Sequence, residues 1–284
     1  MKILVTGVKG QLGYDVCRML DARGIENRGV DIEDFDITDA TAVNDYIQAY
    51  RPDAIIHCSA YTAVDKAEDD ALRCESVNAK GPANIAAAAV AVGAKMMYIS
   101  TDYVFPGTGE CFYTPDDTTG PLSVYGKTKL MGEEAVKAAT DRHFIVRISW
   151  VFGKNGGNFV KTMLRLAETK TDLNVVDDQI GSPTYTHDLS RLLCDMIVTD
   201  RYGTYHATNE GICSWAEFAT EIMRQAGKAT EIHPIPSSQY PTRAVRPLNS
   251  RMSKDKLTEN GFERLPDWKD ALSRYLSELA QESN

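Results

Sequence analysis

The first thirteen residues constrain the fold of this chain more than any other stretch. A short apolar run, Met1 to Thr6, is followed at once by a glycine loop (residues 7–13, GVKGQLG) and then by helical spacing up to Gly24. A strand, a glycine-rich turn and a helix form the start of a dinucleotide-binding βαβ unit. The sequence therefore predicts that Gly7, Gly10 and Gly13 cradle a pyrophosphate at the N-terminus of the helix.

An acidic residue follows the second predicted strand, at about residues 27–30. Asp31 lies roughly 20 residues beyond the glycine loop, where a carboxylate binds the adenosine ribose of a dinucleotide. The next two residues are isoleucine and glutamate, so a 2′-phosphate would meet negative charge. We therefore expect NADH to be accepted at least as well as NADPH, and Asp31→Ala to change the ratio of the two affinities. Asp36 and Ile37 either flank the adenine or shape the entry to a helix over residues 40–50.

Polar and small residues follow two further predicted strands. Residues 59–62 (SAYT) come after the apolar run 54–58, and residues 100–103 (STDY) come after the strand 95–99. In open α/β sheets, ligands bind at the carboxyl ends of the strands. The sequence therefore predicts that both segments face a cofactor or substrate. Asn78 is predicted to begin an alanine-rich helix, where it either points at the cofactor loop or caps the helix.

A tyrosine and a lysine lie four residues apart in a predicted helix that opens at Pro121. Tyr125 and Lys129 then share one helix face. An ammonium ion beside a phenol favours the phenolate, so Lys129 is expected to lower the pKa of Tyr125 and suit it to proton transfer. Such a short motif also occurs as an ordinary surface pair, but the N-terminal dinucleotide pattern favours a catalytic set that includes Thr101.

Longer runs resemble a known family. With the glycine loop, Asp31, Thr101 and the Tyr125/Lys129 pair, the chain resembles the extended short-chain dehydrogenase/reductase superfamily. Within it, the finer resemblance is to the dTDP-4-dehydrorhamnose reductases and runs nearly from end to end. It rests on the glycine loop and on residues 60–68 (AYTAVDKAE), 100–105 (STDYVF), 124–129 (VYGKTK), 148–152 (ISWVF), 178–184 (DQIGSPT) and 246–250 (RPLNS).

This resemblance implies the last step of dTDP-L-rhamnose synthesis, in which NADPH or NADH reduces the 4-keto group of dTDP-4-dehydro-L-rhamnose. Tyr125 would supply the proton, Lys129 would tune it and hold the nicotinamide ribose, and Thr101 would assist at the reacting oxygen. The residues expected at the cofactor are Gly7, Gly10, Gln11, Leu12, Gly13, Asp31, Asp36, Ile37, Ser59, Ala60, Tyr61, Thr62, Asn78, Tyr125 and Lys129. Those expected at the substrate are Thr101, Asp102, Tyr103, Trp150, Arg243 and Arg246.

The predicted fold class is α/β, with a Rossmann-type doubly wound parallel sheet and a smaller, mainly C-terminal, α/β substrate-binding lobe. We assign residues 1–150 to the dinucleotide-binding domain, joined by part of 184–212, and residues 151–284 mainly to the lobe. Arg243 and Arg246 lie in a proline-rich segment of an acidic protein, where they are either ligands for a nucleotide phosphate or surface charge.

Composition and charge exclude several classes of partner. The net charge of −9 argues against nucleic acid and anionic membranes, and no apolar run is long enough to span a bilayer. Six cysteines show no metal-binding spacing, so we expect reduced thiols and a cytoplasmic protein. Some members of the resembled family dimerise through a divalent cation. Asp15 stands at one such position but His187 stands at another, so a monomer is expected, with magnesium and a homodimer as the alternative.

Two other functions share much of this pattern. A nucleotide-sugar epimerase or dehydratase would have the same glycine loop and Tyr/Lys pair but would cause no net redox change. A non-catalytic regulatory subunit, like the one that binds methionine adenosyltransferase, would use the same scaffold. The intact set of Thr101, Tyr125 and Lys129 favours an enzyme.

Overall fold

A six-stranded parallel sheet lies at the centre of the computed structural model, which describes residues 1–282. Its strands are β1 (Lys2–Thr6), β2 (Glu26–Val30), β3 (Ala54–His57), β4 (Lys95–Thr101), β5 (His143–Ile148) and β10 (Gly203–His206). Their order in space is β2-β1-β3-β4-β5-β10, and every neighbouring pair is parallel. The order reverses between β1 and β3, as in a doubly wound fold.

The remaining elements connect and cover this sheet. The helices are α1 (Gln11–Ala22), α2 (Ala40–Tyr50), α3 (Val64–Ala67), α4 (Ala71–Glu75), α5 (Gly81–Val92), α6 (Val124–Ala139), α7 (Phe159–Leu166), α8 (Thr186–Ile197), α9 (Trp215–Gln225), α10 (Asp255–Glu259) and α11 (Trp268–Glu282). The short strands are β6 (Val151–Phe152), β7 (Asp172–Val176), β8 (Ile180–Gly181), β9 (Thr184–Tyr185), β11 (Cys213–Ser214) and β12 (Glu231–Ile235).

Both faces of the sheet are buried, which explains the continuous apolar runs of its central strands. Successive side chains of a strand point to opposite faces. In β1, Ile3 and Val5 accordingly pack with Val16 of α1 on one face, while Leu4 packs with Val43 of α2 on the other. The helices α1 and α8 cover the first face, and α2, α5 and α6 cover the second. The predicted α/β, Rossmann-type fold class is confirmed.

A second core lies among the elements after β5. The pairs β7/β12, β8/β11 and β6/β9 form two-stranded sheets, and α7, α9 and α11 pack beside them. Aromatic side chains fill this core, among them Phe152, Phe218 and Tyr275. Residues 186–206 return to the large sheet, because α8 packs on α1 and β10 pairs with β5. The two-domain boundaries given above stay a prediction.

Ser214 and Glu217 form a capping box at the start of α9, in which each side chain accepts a hydrogen bond from the other's backbone N–H. All six cysteines carry free thiols. Among residues 1–282, no helix is both long and apolar enough to cross a membrane.

Two histidines are buried where a proton is costly to accept. His57 in β3 and His206 in β10 are each 1% exposed. Burial, with a smaller effect of nearby Lys129 and Arg147 respectively, lowers the pKa of each imidazole from 6.5 to about 3. Between these values the unfolded chain binds protons that the folded chain does not. The contribution of each ring to stability therefore falls as the pH falls from 6.5 towards 3.

We expect His206→Leu to destabilise the protein less at about pH 4.5 than at about pH 7.5. The substitution removes a group that resists protonation only when folded, and each pH unit inside the window corresponds to about 1.4 kcal/mol for one such group. Urea unfolding of wild type and variant at both pH values measures the difference. An equal cost at both pH values would contradict the buried neutral imidazole.

Candidate active site

One cavity of about 830 Å³ runs along the carboxyl ends of the central strands, where the strand order reverses. This is the place at which open α/β sheets bind ligands. The predicted site residues that line it are Gly7, Gly10, Gln11, Leu12, Gly13, Asp31, Asp36, Ile37, Ser59, Ala60, Thr62, Thr101, Asp102, Tyr103, Tyr125, Lys129 and Trp150. Those outside its lining are Tyr61, Asn78, Arg243 and Arg246.

The glycine loop is packed too closely for side chains. A Cβ atom on Gly13 would lie 2.3 Å from the Gly7 carbonyl oxygen, and one on Gly7 would lie 2.7 Å from the Ser59 nitrogen. The Gly7 backbone also has φ of 73°, a value that glycine adopts without strain. Gly10 is the N-cap of α1 and offers no side chain to the first turn, so that turn's N–H groups are free for a ligand. This backbone cradle fits a dinucleotide diphosphate.

Asp31 lies on the cavity wall beside the glycine loop. Its carboxylate accepts hydrogen bonds from the Lys9 N–H at 2.9 Å and from the Ile32 N–H at 2.9 Å. The Asp31 N–H in turn donates to Asp34 at 2.9 Å. These contacts hold the carboxylate at the end of β2, where an adenosine ribose is expected, and its role there stays a prediction.

Asp36 and Ile37 retain both of their proposed roles. The Asp36 carboxylate accepts from the N–H and the hydroxyl of Thr38, each at 2.8 Å, which shapes the turn before α2. The Thr38 N–H is the main reason that the pKa of Asp36 lies below its usual value. Both residues also line the cavity, opposite Arg73 of α4. Arg73 was not predicted, because α4 itself was not.

Asn78 does not begin a helix, and this prediction is wrong. Helical structure starts at Ala71 in α4 and continues into α5 through a π-helical turn, Ser76–Lys80, that contains Asn78. The extra residue of such a turn changes the helical period, which hid the earlier start. The Asn78 amide holds the backbone of Tyr61, accepting from its N–H at 2.8 Å and donating to its carbonyl at 3.1 Å. Asn78 therefore supports the cofactor loop from behind.

The helix that carries the tyrosine begins close to the strand ends. Ser123 caps α6 by accepting from the Gly126 N–H at 3.1 Å. A Cβ atom on Gly126 would lie 2.3 Å from the Tyr103 carbonyl oxygen, so glycine allows α6 to approach the turn after β4. The ring of Tyr103 then meets the ring of Tyr125 edge to face, with centroids 5.4 Å apart. This close approach sets Tyr125 beside the end of β4.

Thr101, Tyr125 and Lys129 all line the cavity, and the Thr101 hydroxyl is hydrogen-bonded to the Tyr125 phenol. Lys129 is 2% exposed, donates to the Ile99 carbonyl at 2.6 Å and lies 4.1 Å above the centre of the Tyr98 ring. The structure thus brings the predicted catalytic set together. Their catalytic roles remain a proposal.

The expected direction of the tyrosine pKa is wrong. Tyr125 is half-buried at the cavity wall, and its loss of hydration raises the pKa of the phenol, while the Thr101 hydroxyl opposes that rise. Burial also lowers the pKa of the Lys129 ammonium to about 7. The loss of hydration around the phenol therefore decides the direction of the Tyr125 pKa shift. A phenol with a raised pKa stays protonated at neutral pH, which is the state that a proton donor needs.

Asp102 connects the cavity wall to the C-terminal part of the chain. It is 3% exposed, and its carboxylate accepts from the Thr101 hydroxyl at 2.9 Å and from the Ser250 hydroxyl at 2.5 Å. Burial raises the pKa of Asp102 to about 6, against the effect of these hydrogen bonds. The single proton of Thr101 is thus directed at Asp102, and its oxygen also accepts from the Tyr103 N–H at 3.2 Å.

Two tryptophans also line the cavity. Trp150 follows β5 with φ of 50°, an uncommon conformation for a bulky residue, and such strain is frequently found at functional sites. Its ring stacks on Trp215 with centroids 3.8 Å apart. Gly181 lies beneath, where a Cβ atom would come within 2.9 Å of the Trp150 ring. Trp215 was not predicted, because it arrives from α9, far along the chain.

A loop from the C-terminal part reaches over the glycine loop. The Asn155 amide donates to the Lys9 carbonyl at 2.7 Å, and the Asn158 amide donates to the Gln11 side chain at 3.0 Å. Residues 156–158 line the cavity as a result. The glycine-asparagine composition of this loop was the only sequence signal for it.

The two candidate phosphate ligands are paired with carboxylates. Arg243 forms an ion pair with Asp69. Arg246 pairs with Asp65 at 2.6 Å and donates to the Tyr103 hydroxyl at 3.3 Å. Arg246 therefore reaches a side chain of the cavity wall, whereas Arg243 lies further out. Their role toward a nucleotide stays a prediction.

The surroundings of Asp15 do not fit a divalent cation. The Asp15 carboxylate accepts from the Thr186 hydroxyl at 2.5 Å and from Arg18 at 3.2 Å, and Arg18 also pairs with Glu278 at 3.1 Å. His187 faces Asp188, which raises the pKa of its imidazole. The Arg18 guanidinium thus neutralises the Asp15 carboxylate and pairs it with Glu278 without a metal ion. Within residues 1–282, no group of three or more histidine, cysteine, aspartate or glutamate side chains is arranged to hold a metal ion.

The chain is similar in sequence and fold to several known proteins. The family described as RmlD substrate binding domain matches residues 1–281. The spore coat polysaccharide biosynthesis protein SpsK of Bacillus subtilis is 42% identical over 98% of this chain and 97% of its own. A dTDP-4-dehydrorhamnose reductase from Clostridium acetobutylicum is 43% identical with a TM-score of 0.97, covering 99% of this chain and 100% of that one. The Bacillus anthracis enzyme of the same name, in complex with NADP, is 41% identical with a TM-score of 0.95, covering 98% and 100%.

Proposed function

The chain belongs to the RmlD family of dTDP-4-dehydrorhamnose reductases, and from this membership we infer that it reduces the 4-keto group of dTDP-4-dehydro-L-rhamnose to give dTDP-L-rhamnose. It is an NAD(P)H-dependent oxidoreductase of dTDP-rhamnose biosynthesis. One observation carries the proposal beyond family membership. A tyrosine, a threonine and a lysine meet at one end of a cavity whose other end is a glycine cradle at a helix N-terminus.

The glycine cradle and the wall formed by Asp31 would hold the dinucleotide along the cavity. When bound, NAD(P)H supplies the hydride and its electron pair, which is the step that protein side chains cannot perform. The backbone of residues 59–62 would lie against it, held from behind by Asn78. Lys129, buried at the far end, would donate to the nicotinamide ribose.

Tyr125 would complete the reduction. As the sugar carbon accepts hydride, a C–H bond forms, the C=O double bond becomes single, and negative charge develops on the oxygen. The Tyr125 hydroxyl donates its proton to that oxygen, so an O–H bond forms as the phenol O–H breaks. A tyrosine phenol is protonated at neutral pH, so its proton is available when the alkoxide forms.

Thr101 and Asp102 would orient this chemistry, and the tryptophans would hold the substrate. The Thr101 hydroxyl donates to Asp102 at 2.9 Å, and this hydrogen bond would hold the Thr101 side chain in place beside Tyr125. Trp150 and Trp215 offer a stacked aromatic wall to the sugar nucleotide. Arg246, held beside Tyr103, is the better placed of the two arginines for a phosphate.

The test is stoichiometric oxidation of NADH with dTDP-4-dehydro-L-rhamnose, compared with isomeric 4-keto sugars, with the product sugar identified by NMR. One NADH consumed per dTDP-L-rhamnose formed is the expected result. An epimerase or dehydratase would convert sugar without net loss of NADH absorbance, which would overturn the proposal. A regulatory subunit would neither convert the sugar nor oxidise NADH.

We propose that the enzyme is cytoplasmic and monomeric. The free thiols support the first point. The ion pairs of Arg18 with Asp15 and Glu278 support the second, because they neutralise carboxylates that could otherwise bridge two chains through a cation. Light scattering with and without magnesium should give the same mass. A magnesium-dependent dimer would contradict this proposal.

A further inference from the structure

Lys9 is fixed to the carboxylate expected to bind the adenosine ribose. Its backbone N–H donates to one oxygen of Asp31 at 2.9 Å, while the other oxygen accepts from the Ile32 N–H at 2.9 Å. Lys9 lies in the glycine loop between Gly7 and Gly10 and lines the cavity. The Lys9 side chain therefore begins close to the ribose that Asp31 would hold.

The side chain of Lys9 places a cation at this edge of the cavity. Its ammonium pairs with the Glu33 carboxylate, and the two side chains are 66% and 60% exposed. The hydrogen bond with Glu33, above all, raises the pKa of Lys9, so the ammonium is charged at neutral pH. The other cations among the described lining residues are Arg73, which faces Asp36, and Lys129, at the reacting end.

We propose that Lys9 receives the 2′-phosphate of NADPH and that Glu33 competes with that phosphate for the ammonium. The proposal rests on the proposed function only in that a nicotinamide dinucleotide binds with its ribose at Asp31. NADPH differs from NADH by a phosphate dianion on the adenosine 2′-oxygen. The Asp31 carboxylate repels this phosphate, and the Ile32 side chain cannot form a hydrogen bond or an ion pair with it. Lys9 is therefore the cation that would pair with the phosphate and allow NADPH to bind.

This assignment changes the expectation drawn from the sequence. Glu33 appeared to add negative charge against a phosphate, but in the structure its charge is matched by Lys9. The Lys9 ammonium would exchange the Glu33 carboxylate for the phosphate of NADPH, so it is paired with an anion both with and without that cofactor. The chain is thereby expected to use both cofactors, with the preference set by Lys9 and Glu33 together.

The test measures binding of NADH and NADPH without the sugar, by nicotinamide fluorescence, in three variants. Lys9→Met keeps the aliphatic stem and should weaken NADPH roughly five- to tenfold, while NADH changes less than about twofold. Glu33→Gln removes the competitor and should tighten NADPH several-fold. Arg73→Met is the matched control, a second cavity cation on the Asp36 side, and should not change the ratio of the two affinities.

Salt and a smaller ligand complete the test. The ratio of NADPH affinity to NADH affinity in the wild type should decline as salt rises, and that decline should be absent in Lys9→Met. Adenosine 2′,5′-bisphosphate compared with adenosine 5′-monophosphate, by calorimetry, isolates the 2′-phosphate and reports on Lys9 even if the chain proves to reduce a different sugar. An unchanged NADPH/NADH ratio in Lys9→Met, or a ratio that shifts in Arg73→Met instead, would overturn the proposal.

Discussion

Tyr125→Phe should reduce turnover by about 10²–10⁴-fold, the usual contribution of a positioned acid or base. The substitution removes one oxygen atom and keeps the ring that packs against Tyr103. The alkoxide then lacks its proton donor, while the glycine cradle that holds the cofactor is untouched. Steady-state kinetics should show the loss in kcat, and fluorescence titration should show NADH binding within a few-fold of wild type.

Tyr103→Phe is the matched comparison for this result. It removes a hydroxyl from the adjacent ring, one that accepts from Arg246 at 3.3 Å and has no proposed part in proton transfer. Its effect should fall mainly on KM for the sugar nucleotide, with turnover within about tenfold of wild type. If Tyr125→Phe and Tyr103→Phe lowered kcat equally, Tyr125 would lose its assigned role.

Glu133→Ala should destabilise the fold by about 3–5 kcal/mol, because it leaves a buried arginine without its counter-charge. Glu133 on α6 and Arg147 on β5 are 0% and 2% exposed, and they meet through two hydrogen bonds of 2.8 and 2.7 Å. The Ser100 hydroxyl donates to the same carboxylate at 2.5 Å. Burial would raise the pKa of Glu133, but Arg147 holds it below its usual value.

Denaturant unfolding of Glu133→Ala beside Glu134→Ala measures this cost. Glu134 is the exposed neighbour on the same helix, and its removal should change stability by less than about 0.5 kcal/mol. The double variant Glu133→Ala/Arg147→Met should recover part of the loss, since it removes the orphaned charge. Equal costs for the two single alanine variants would contradict a buried ion pair that joins α6 to the sheet.

The periodic elements of the main sheet could be predicted from the sequence because their signals are local. The helix over residues 40–50 matches α2, and the strand predicted over residues 95–99 lies within β4. By contrast, β12 (Glu231–Ile235) was missed, since it contains a proline and forms only by pairing with the distant β7. The start of α4 was missed because a π-helical turn interrupts the 3.6-residue spacing by which a helix is recognised in a sequence.

The residues of the candidate site fall into the same two groups, those with a local sequence signal and those brought in by distant elements. The carboxyl ends of the strands in a parallel sheet lie at one edge. The sequence alone therefore predicts that Thr101, Asp31 and the glycine loop lie close together. Trp215 and residues 156–158 enter from elements far along the chain, and no local pattern brings them there. The direction of the Tyr125 pKa was also missed, because it depends on how much water the folded wall excludes.

The stacked indoles of Trp150 and Trp215 give the protein an intrinsic fluorescence signal for substrate binding. The chain has three tryptophans, and these two share a wall of the cavity, while Trp268 is sealed in the core of the C-terminal elements at 3% exposure. A sugar nucleotide that arrives at this wall changes the emission of two of three fluorophores, against a steady background from the third. Arrival of substrate could thus be timed separately from turnover, with no label attached.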